Sequence, residues 1–398
     1  MCCFWAYFSL AWCLKVWFEV GLNEGMGNPR CKICGGVMIK HGKTVGGKQR
    51  FRCKPCSSTQ TRRNDVRARD FAAFLEFVTG KYTLADHGGK ARTLRRHNEP
   101  FWSLWPVSPL VDEVHHVVFV DGIYLSRSLV VLIACSKTHV LGWYVARGET
   151  TASWQALMAR IAQPDVVVCD GGQGIATALR REWPDTQVQR CVFHAFSAVR
   201  RKTTTRPRTQ AGVELYGLAK ALLAITTPKE AAEWEGQLAR WNTGYQGFLA
   251  EQTRLPNGRW VPTHQRLIQA KNTLNTLVRH RKLFTYLEPG LVVAGDPISA
   301  TTNLIEGAIN TQLRALLRAH RGMPLDHRVK AVLWWCYLHT EFPASPADIL
   351  QRTITDERIA ELFATARHRA QAQHEIERWG TAVNWTDFHH NGTWHETY

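Results

Sequence analysis

Two aspartates stand in the same local context, one that suits the binding of a divalent cation. Asp121 ends the run Val-Phe-Val-Asp-Gly, and Asp170 ends the run Val-Val-Cys-Asp-Gly. A carboxylate at the end of a buried strand points into a cleft, and a following glycine leaves room for a close ligand. Carboxylate oxygens are the ligands that Mg²⁺ and Mn²⁺ prefer. Asp-Gly is also a common turn after a strand, so each aspartate taken singly has an equally good structural explanation.

Four cysteines have the spacing of a zinc site. They form the pattern C-x2-C-x18-C-x2-C, with a tight Gly-Gly or Ser-Ser turn after each pair, and they are Cys31, Cys34, Cys53 and Cys56. Four thiolates give the tetrahedral sulfur shell that Zn²⁺ prefers, whereas a redox role would require a βαβ context that is absent here. We therefore predict a structural Zn²⁺, which stabilises a small hairpin and takes no part in chemistry.

Composition and charge narrow the class of protein. The chain has 398 residues, of which 45% are hydrophobic and 21% charged, values close to the globular average that argue against a disordered or fibrous protein. An excess of 50 Lys+Arg over 33 Asp+Glu gives a net charge of +17 and favours a polyanionic partner. The 11 cysteines are odd in number and unevenly spaced, which indicates metal binding in a reducing cytosol rather than a disulfide framework.

Residues 1–25 form an aromatic and cysteine-rich run that differs from the rest of the chain. Lys15 and Glu19 interrupt it before it reaches the ~20 apolar residues that span a bilayer, and no basic segment precedes it as in a signal peptide. An interfacial anchor is the alternative. We favour a spurious or disordered extension, with Met26 as the initiator. No other apolar stretch is long enough to span a bilayer. We therefore predict that the protein has no membrane partner and is cytoplasmic and nucleoid-associated.

Two DNA-binding modules are predicted before the main domain. Residues 26–63 form the zinc ribbon, whose basic residues, among them Lys48 and Arg50, suit phosphate contacts. Residues 64–110 have the pattern helix, short helix, turn and helix, followed by a proline-containing linker, which indicates a helix-turn-helix. The last helix carries basic side chains that could reach guanine edges in a major groove, namely Lys90, Arg92, Arg95 and Arg96. A solvated basic helix in an ordinary helical hairpin is the alternative.

An α/β fold is predicted to position the aspartates. Three β-rich runs are followed by a helix, a strand, a helix, a short strand and a further helix, and this is the order of an RNase H-like core. The predicted strands are 116–120, 128–133, 139–145, 165–169 and 187–191, and the predicted helices are 153–161, 174–182 and one from 194 onward. We assign the core to residues 111–202 and 298–342, a helical insertion to 203–297, and a C-terminal helical tail to 343–398. Helices are expected over 303–320, 325–340 and 357–379.

Three motifs in fixed order make the chain resemble a known family. They are Asp170-Gly-Gly-Gln-Gly, Gln-Arg-Cys191-Val-Phe-His194 and Thr-Thr-Asn-Leu-Ile-Glu306-Gly. Over roughly residues 30–340 the chain resembles the mutator-type bacterial insertion-sequence transposases, in particular a subgroup with an N-terminal zinc ribbon. The resemblance implies an RNase H-like core in which Asp121, Asp170 and Glu306 form a DDE triad that binds Mg²⁺ or Mn²⁺.

The same resemblance implies a reaction and its partners. A transposon end would be nicked by water, and the freed 3′-OH would attack target DNA, by two-metal phosphoryl transfer. The partners would be double-stranded DNA, at transposon ends and target, and a second copy of the chain, because two ends cut together require at least a homodimer. A catalytically silent or domesticated DNA-binding protein is the first alternative, and an RNase H-like nuclease or resolvase is the second.

Some residues of the motifs have competing explanations. Glu306 could be the third residue of a helix in a capping box with Asn303, and Glu288 and Asp296 are lesser candidates for the third carboxylate. Cys191 and His194 lack the further pair that a second zinc site would need. The resemblance places them beside the active site, where His194 would contact DNA or order a carboxylate and Cys191 would be buried.

The tryptophans of the insertion also have two explanations. Trp234 or Trp241 could stack on a base flipped from the transposon flank, as in related transposases, or could pack between helices, which is the commoner fate of tryptophan.

Overall fold

The computed structural model describes residues 28–31, 33–47, 49–61, 66–80, 86, 91–293, 297–352 and 354–372. The chain divides into two compact units, Met1–Arg67 and Ala68–Tyr398. Residues 1–25, Lys48 and Lys90 lie outside the described residues, as do most of the predicted short helix around residue 85 and the tail beyond residue 372. The structure contains mixed α and β elements, as predicted.

The first unit contains a three-stranded antiparallel sheet in the order β1-β2-β3, formed by β1 (Met38–Lys43), β2 (Gln49–Cys53) and β3 (Thr59–Thr61). Met38 pairs with Cys53, and Arg50 pairs with Thr61. Among the described residues of this unit, the buried cluster consists of Cys31, Met38, Phe51 and Cys53. Such a core is too small to stabilise a fold without a further constraint, which agrees with the prediction of a hairpin held by metal.

Two helices and a short strand follow, α1 (Val66–Thr79), α2 (Ala91–Asn98) and β4 (Leu104–Trp105), and all but the first two residues of α1 belong to the second unit. Residues 100–106, predicted to be a linker, instead pack in the core, with Phe101, Trp102, Leu104 and Trp105 all buried. Lys330 is buried beside them and lies 2.7 Å from Asp356 Oδ1, and its ammonium lies 4.6 Å from the ring of Trp105. The linker prediction was wrong because the prolines flank aromatic side chains that fill this core.

A five-stranded sheet forms the centre of the second unit. Its strands are β5 (Val117–Ser126), β6 (Leu129–Cys135), β7 (Val140–Ala146), β8 (Val166–Cys169) and β9 (Gln187–Arg190), in the order β7-β6-β5-β8-β9. β5, β6 and β7 are antiparallel, whereas β5, β8 and β9 are parallel. The predicted strands are all present. One boundary was wrong: β5 continues past Asp121, because the buried Ile123 and Leu125 maintain the alternating pattern to Ser126.

Helices cover both faces of this sheet. On one face, Phe119 and Val168 belong to a cluster with residues of α1, of α10 (Thr311–Ala319) and of α11 (Leu325–Leu338). On the other face, Val118 and Val167 pack with residues of α3 (Thr151–Met158) and α4 (Gln173–Glu182). Adjacent residues of a strand point to opposite faces, and both faces of this sheet are covered. The strands are therefore apolar at nearly every position.

A predominantly helical segment follows helix α5 (Val192–Thr203). It contains α6 (Gln210–Ala221), α7 (Pro228–Gly244), α8 (Gln246–Ala250), the hairpin of β10 (Gln252–Arg254) and β11 (Trp260–Pro262), and α9 (Gln265–Arg279). Its buried residues form a cluster with α5 that is separate from the two clusters of the sheet. The start of α5 lies beside the end of this segment, because Val192 N donates to Ala300 O at 3.0 Å.

The chain re-enters the core through a π-helix, Leu304–Asn310, which continues directly into α10. The continuous helix predicted over 303–320 is therefore two helices of different pitch. After α11 come α12 (Pro346–Arg352), β12 (Ile354–Thr355), which pairs with β4, and α13 (Asp356–Ala372). Within the described residues, no helix is long and apolar enough to cross a membrane.

Candidate active site

The register of the parallel strands brings Asp121 and Asp170 side by side. Phe119 pairs with Val168, so the residues two positions further along, Asp121 and Asp170, lie next to each other and face the same side of the sheet. In open α/β sheets, ligands bind at the carboxyl ends of parallel strands. Asp170 follows the last residue of β8, and its Oδ1 accepts a hydrogen bond from Gly172 N at 3.1 Å.

Asp121 is held by two hydrogen bonds. Its Oδ1 accepts from Gly122 N at 2.9 Å, and its Oδ2 accepts from the side-chain Nδ2 of Asn310 at 2.6 Å. Burial raises the pKa of Asp121 to about 6, and the charges of Asp170 and Glu306 act in the same direction. The three carboxylates of the predicted triad thus interact electrostatically, although Glu306 is far from the aspartates in sequence.

The π-helix supplies both Glu306 and Asn310 to this site. Glu306 Oε1 accepts a hydrogen bond from the hydroxyl of the buried Thr302. Asn303 makes no side-chain capping hydrogen bond, so the capping-box explanation of Glu306 was wrong. Asn310 is buried and binds Asp121 directly, so this helix connects the third carboxylate to the first. π-helical turns occur frequently at functional sites.

Cys191 and His194 lie beside Glu306. His194 Nδ1 is 3.5 Å from Glu306 Oε1, which places the imidazole where it can order that carboxylate. Cys191 is buried, and its Sγ accepts from both the backbone N and the hydroxyl of Thr302 at 3.3 Å. The contact with Cys191 raises the pKa of His194 despite partial burial. The side chains of Cys191, His194 and Glu306 lie close enough together to share a metal ion.

Of the other two candidates for the third carboxylate, the structure describes Glu288 but not Asp296. Glu288 ends a short 3₁₀ turn, Thr285–Leu287, and is not among the charges that act on Asp121. Asp296 lies outside the described part of the chain. Glu306 therefore stays our prediction for the third member of the triad.

The glycines after the two aspartates make room for protein side chains rather than for a ligand. A Cβ at Gly171, whose φ is +75°, would overlap the guanidinium of Arg190. A Cβ at Gly122 would lie 2.8 Å from Glu149 Oε1. The expectation that both glycines leave space for a close ligand is therefore corrected.

Glu149 is a half-buried carboxylate that sequence reasoning missed. It precedes Thr150, the residue whose side chain caps α3 by accepting from Ser153 N at 3.2 Å. Burial raises the pKa of Glu149 to about 7, and the charges of Asp170 and Asp121 contribute, while a hydrogen bond with Tyr124 opposes them. A glutamate before a helix is ordinary in a sequence, so no local pattern distinguishes this one.

The four cysteines of the predicted zinc site converge in the first unit. Cys31 Sγ lies 3.4 Å from Cys56 Sγ, and Cys34 Sγ lies 3.4 Å from Cys53 Sγ and 3.5 Å from Cys56 Sγ. All four are free thiols. A tetrahedral shell with Zn–S bonds of about 2.3 Å would have edges of about 3.8 Å, close to these separations. A hydrogen bond with the Ser58 hydroxyl lowers the pKa of Cys31 to about 6, which favours the thiolate that zinc requires.

The basic residues predicted to bind DNA are exposed where the structure describes them. Arg50 lies on β2 of the first unit, and Arg92, Arg95 and Arg96 lie on α2 of the second unit, where Leu94 packs against the core. Exposure suits both a DNA contact and a solvated helix, so the roles of these residues stay predictions.

The tryptophans named in the insertion have packing roles. Trp234 and Trp241 are buried, and their indole N–H groups donate to Leu218 O at 2.8 Å and to Ala211 O at 3.1 Å. Neither ring is available for stacking on a base in this conformation. Trp260, in the hairpin of β10 and β11, is 59% exposed.

Comparison with known proteins agrees with the resemblance drawn from the motifs. Residues 106–251 match the sequence model of the transposases of the Mutator family, a segment that contains Asp121, Glu149, Asp170 and His194. A probable transposase for an insertion sequence element from Corynebacterium diphtheriae is 23% identical over 193 residues, which cover 42% of this chain. The chain spans about half, 54%, of the length of that relative. The resemblance is confirmed: residues 106–251 of the chain are similar to the transposases of the Mutator family.

Proposed function

We propose that this protein is a DDE transposase that binds the ends of an insertion sequence, cleaves the DNA and joins the 3′-OH ends to target DNA. The observation that carries the proposal is the convergence of Asp121, Asp170 and Glu306. Asp121 lies in the middle of β5, Asp170 directly follows the adjacent parallel strand β8, and the charges of Asp170 and Glu306 both act on Asp121. A merely structural role would not require three carboxylates to repel one another in a partly buried site.

The donor set fits Mg²⁺ or Mn²⁺. Carboxylate oxygens suit these hard cations, and a bound cation would offset the burial and the repulsion that together raise the pKa of Asp121. Asp121, Asp170 and Glu306 would hold the ions, which when bound activate the attacking oxygen and stabilise the departing 3′ oxygen.

The remaining side chains fix the carboxylates in place. Asn310 and the Gly122 amide hold Asp121, and the Gly172 amide holds Asp170. The Thr302 hydroxyl donates to Glu306 Oε1, and His194 Nδ1 lies 3.5 Å from the same oxygen without a hydrogen bond to it. Hydrogen-bonded neighbours of this kind orient metal ligands and set their basicity.

The proposal extends to fold, cofactors and partners. The sheet order, in which three antiparallel strands precede two parallel ones, supports an RNase H-like core. The four-cysteine cluster supports a zinc ribbon. The exposed Arg92, Arg95 and Arg96 on α2 support a helix-turn-helix that binds double-stranded DNA. A homodimer or larger assembly would bring two transposon ends together.

Single substitutions test the triad. Asp121→Asn, Asp170→Asn and Glu306→Gln should each abolish Mg²⁺- or Mn²⁺-dependent cleavage of transposon-end DNA, while binding of that DNA persists. Asp165→Asn is the matched control, because Asp165 directly precedes β8 but its side chain is 57% exposed and pairs with His116. Normal cleavage by any of the three variants would remove that residue from the triad.

A further inference from the structure

We propose that one end of the helical insertion binds the phosphate backbone of duplex DNA where that DNA extends away from the carboxylate site. The inference rests on the proposed function, because it gives the same DNA a further contact surface. This surface, the basic tip, consists of the end of α5, the loop after it and the first turn of α9. Its basic side chains are Arg200, Arg201, Lys202, Arg206, Arg208 and Arg266.

Charge is distributed unevenly along the insertion and the helix that precedes it. Residues 186–213 contain six Lys or Arg and no Asp or Glu, and residues 252–287 contain seven Lys or Arg and no Asp or Glu. The intervening residues 214–251 contain five Glu and three Lys or Arg. The excess of positive charge is therefore confined to two segments, and such a concentration suits a polyanionic partner.

The fold brings these two acid-free segments together at the basic tip. Arg266 Nη2 donates to the backbone oxygen of Arg201 at 2.7 Å, and Lys202 Nζ donates to Gln269 Oε1 at 2.6 Å. The end of α5 and the start of α9 therefore lie side by side. Their basic residues, together with those of the loop after α5, form one exposed group.

No carboxylate neutralises this group among the residues that the structure describes, where none of its six side chains has an ion pair. The glutamates that flank the acid-free segments are bonded elsewhere. Glu214 Oε1 accepts from Gln210 and from the Tyr245 hydroxyl, both at 2.9 Å. Glu251 lies 3.0 Å from His264 Nε2. An anion from outside the chain would relieve the mutual repulsion of the tip.

Helix electrostatics explain only part of the basic tip. Arg200, Arg201 and Lys202 lie in the last turn of α5, where positive charge offsets the helix macrodipole. Arg206 and Arg208 lie instead directly before α6, and positive charge is unfavourable at the beginning of a helix. Both are exposed, so burial does not explain them either.

The loop that carries these two arginines has a defined conformation. Thr204 has a φ of +69°, which is rare for a β-branched residue, and its backbone N donates to Arg200 O at 2.8 Å. Arg206 N then donates to the Thr204 hydroxyl at 3.4 Å. A preformed loop loses less conformational entropy when its side chains bind phosphates.

Helix α5 connects the basic tip to the carboxylate site. His194, near its start, lies 3.5 Å from Glu306 Oε1, and the helix has 12 residues, which correspond to about 18 Å. Base pairs of duplex DNA are about 3.4 Å apart, so this length spans about five of them. A duplex cleaved at the carboxylates and lying along α5 would thus place backbone phosphates at the tip.

The salt dependence of binding to a random-sequence DNA duplex tests this surface in the whole protein. Arg206→Gln combined with Arg208→Gln should lower the salt-dependence slope by about two, because each lost phosphate contact lowers it by about one. Lys220→Gln combined with Arg240→Gln is the charge-matched control, because both residues are exposed on α6 and α7. This control should bind as the unmodified protein does.

The outcomes of this measurement are decisive. An unchanged slope for the tip variant would overturn the proposal, and an equal loss in the control would show that only net charge matters. Arg206→Lys combined with Arg208→Lys keeps both charges and should restore the slope. Thermal melting should give the same transition for all four proteins.

Neutral methylphosphonate links locate the contact on the DNA. They are placed one at a time in a transposon-end duplex, and binding is measured without divalent cation so that the duplex stays intact. Links about five base pairs from the cleaved bond should weaken binding of the unmodified protein severalfold and have no effect on the tip variant. Links that weaken both proteins alike at every position would overturn the assignment.

The two proposals can fail separately. Cleavage of transposon-end DNA by the unmodified protein, together with an unchanged slope for the tip variant, would overturn the basic tip and leave the proposed function intact. An unmodified protein that cleaves no transposon-end DNA with Mg²⁺ or Mn²⁺ would overturn the proposed function, whatever the slopes on random DNA.

Discussion

The cysteine cluster of the first unit and the carboxylate site of the second unit both gather acidic ligand groups, but they do so in opposite ways. The cysteines come as two local pairs on a short antiparallel hairpin, with a buried core of only four residues. The carboxylates come from β5, β8 and a π-helix that follows the helical insertion, and two extensive hydrophobic clusters support them. In the first case the ligands would stabilise the fold, whereas in the second the fold stabilises a repulsive arrangement of ligands.

The largest effect is expected from the loss of one cysteine. Cys31→Ser should abolish zinc binding and unfold residues 30–60, because structural zinc contributes on the order of 10 kcal/mol to such small domains. The second unit should stay folded, because its hydrophobic clusters contain no residue of the ribbon. Zinc content measured by atomic spectroscopy, together with the thermal transition of the second unit, checks both statements.

A matched control for this experiment is Cys336→Ala, a buried cysteine of α11 outside the cluster, which should retain full zinc content. Zinc-free protein that keeps an ordered ribbon would show that the four thiols are not a structural metal site.

At the carboxylate site, the loss of a positioning side chain should lower DNA cleavage without unfolding the protein. Asn310→Ala removes the donor to Asp121 Oδ2, and we expect DNA cleavage to fall by about 10- to 100-fold with the fold retained. Asn303→Ala is the control, because Asn303 lies at the start of the same π-helix and makes no capping bond. Single-turnover cleavage rates measure the effect, and equal rates for the two variants would exclude a role for Asn310.

DNA recognition offers a smaller contrast between the two units. Arg92→Ala on α2 should cost roughly 1–3 kcal/mol on the transposon end and little on random DNA, if this helix contacts base edges. Arg50→Ala on β2 should weaken binding to both DNAs alike and reduce the salt-dependence slope by about one, as expected for a phosphate contact. Binding titrations across salt concentrations distinguish these effects. If only Arg50→Ala lost the preference for the transposon end over random DNA, Arg50 would be the base contact and Arg92 the phosphate contact.

The pH dependence of stability should be the smallest effect. The pKa of Asp121 is raised to about 6, so the folded protein binds more protons than the unfolded chain between about pH 4 and 6. Its contribution therefore makes the metal-free protein less stable as pH rises through that window. At pH 8 without metal, Asp121→Asn should be more stable by roughly 1–2 kcal/mol, less than the full shift implies because neighbouring carboxylates share the proton uptake.

Urea unfolding at pH 4 and pH 8 measures this difference. The two proteins should have nearly equal stability at pH 4, where Asp121 is protonated in the folded state. An Asp121→Asn variant that is less stable at pH 8 would show that the hydrogen bonds to Asp121 outweigh its repulsion.

The candidate ligands whose signals are local could be found from the sequence. The cysteine spacing and the β-rich runs gave the zinc candidates, the five strands and the helices between them. Asp121 and Asp170 were found because each follows an apolar run. The end of β5 was misplaced because Asp-Gly resembles a turn, although Ile123 and Leu125 continue the alternating burial of the strand.

The residues that contact those candidate side chains are brought to them by tertiary contacts, which leave no local pattern in the sequence. Asn310 and Asp121 are connected by a hydrogen bond across the insertion, and Glu149 reaches β5 from a loop on the other side of the sheet. The π-helical pitch has no simple periodic signal, so 303–320 appeared to be one amphipathic helix. The aromatic segment 100–106 appeared to be a linker because the sequence shows its prolines. It does not show the core residues against which the aromatic side chains pack.

The meeting of the two ends of the insertion has a consequence for how such a chain can change over evolutionary time. Val192 N bonds to Ala300 O, and Thr302 bonds to Cys191, so the chain leaves and re-enters the core at one place. Most of the buried intervening residues form a hydrophobic cluster with α5, and residues 282–286 at the end of the insertion bond to β9. Doubling the length of a loop closed at its base costs only about 0.6 kcal/mol. Descendants of this chain can therefore lengthen, shorten or replace the excursion while Asp121 and Glu306 keep their separation.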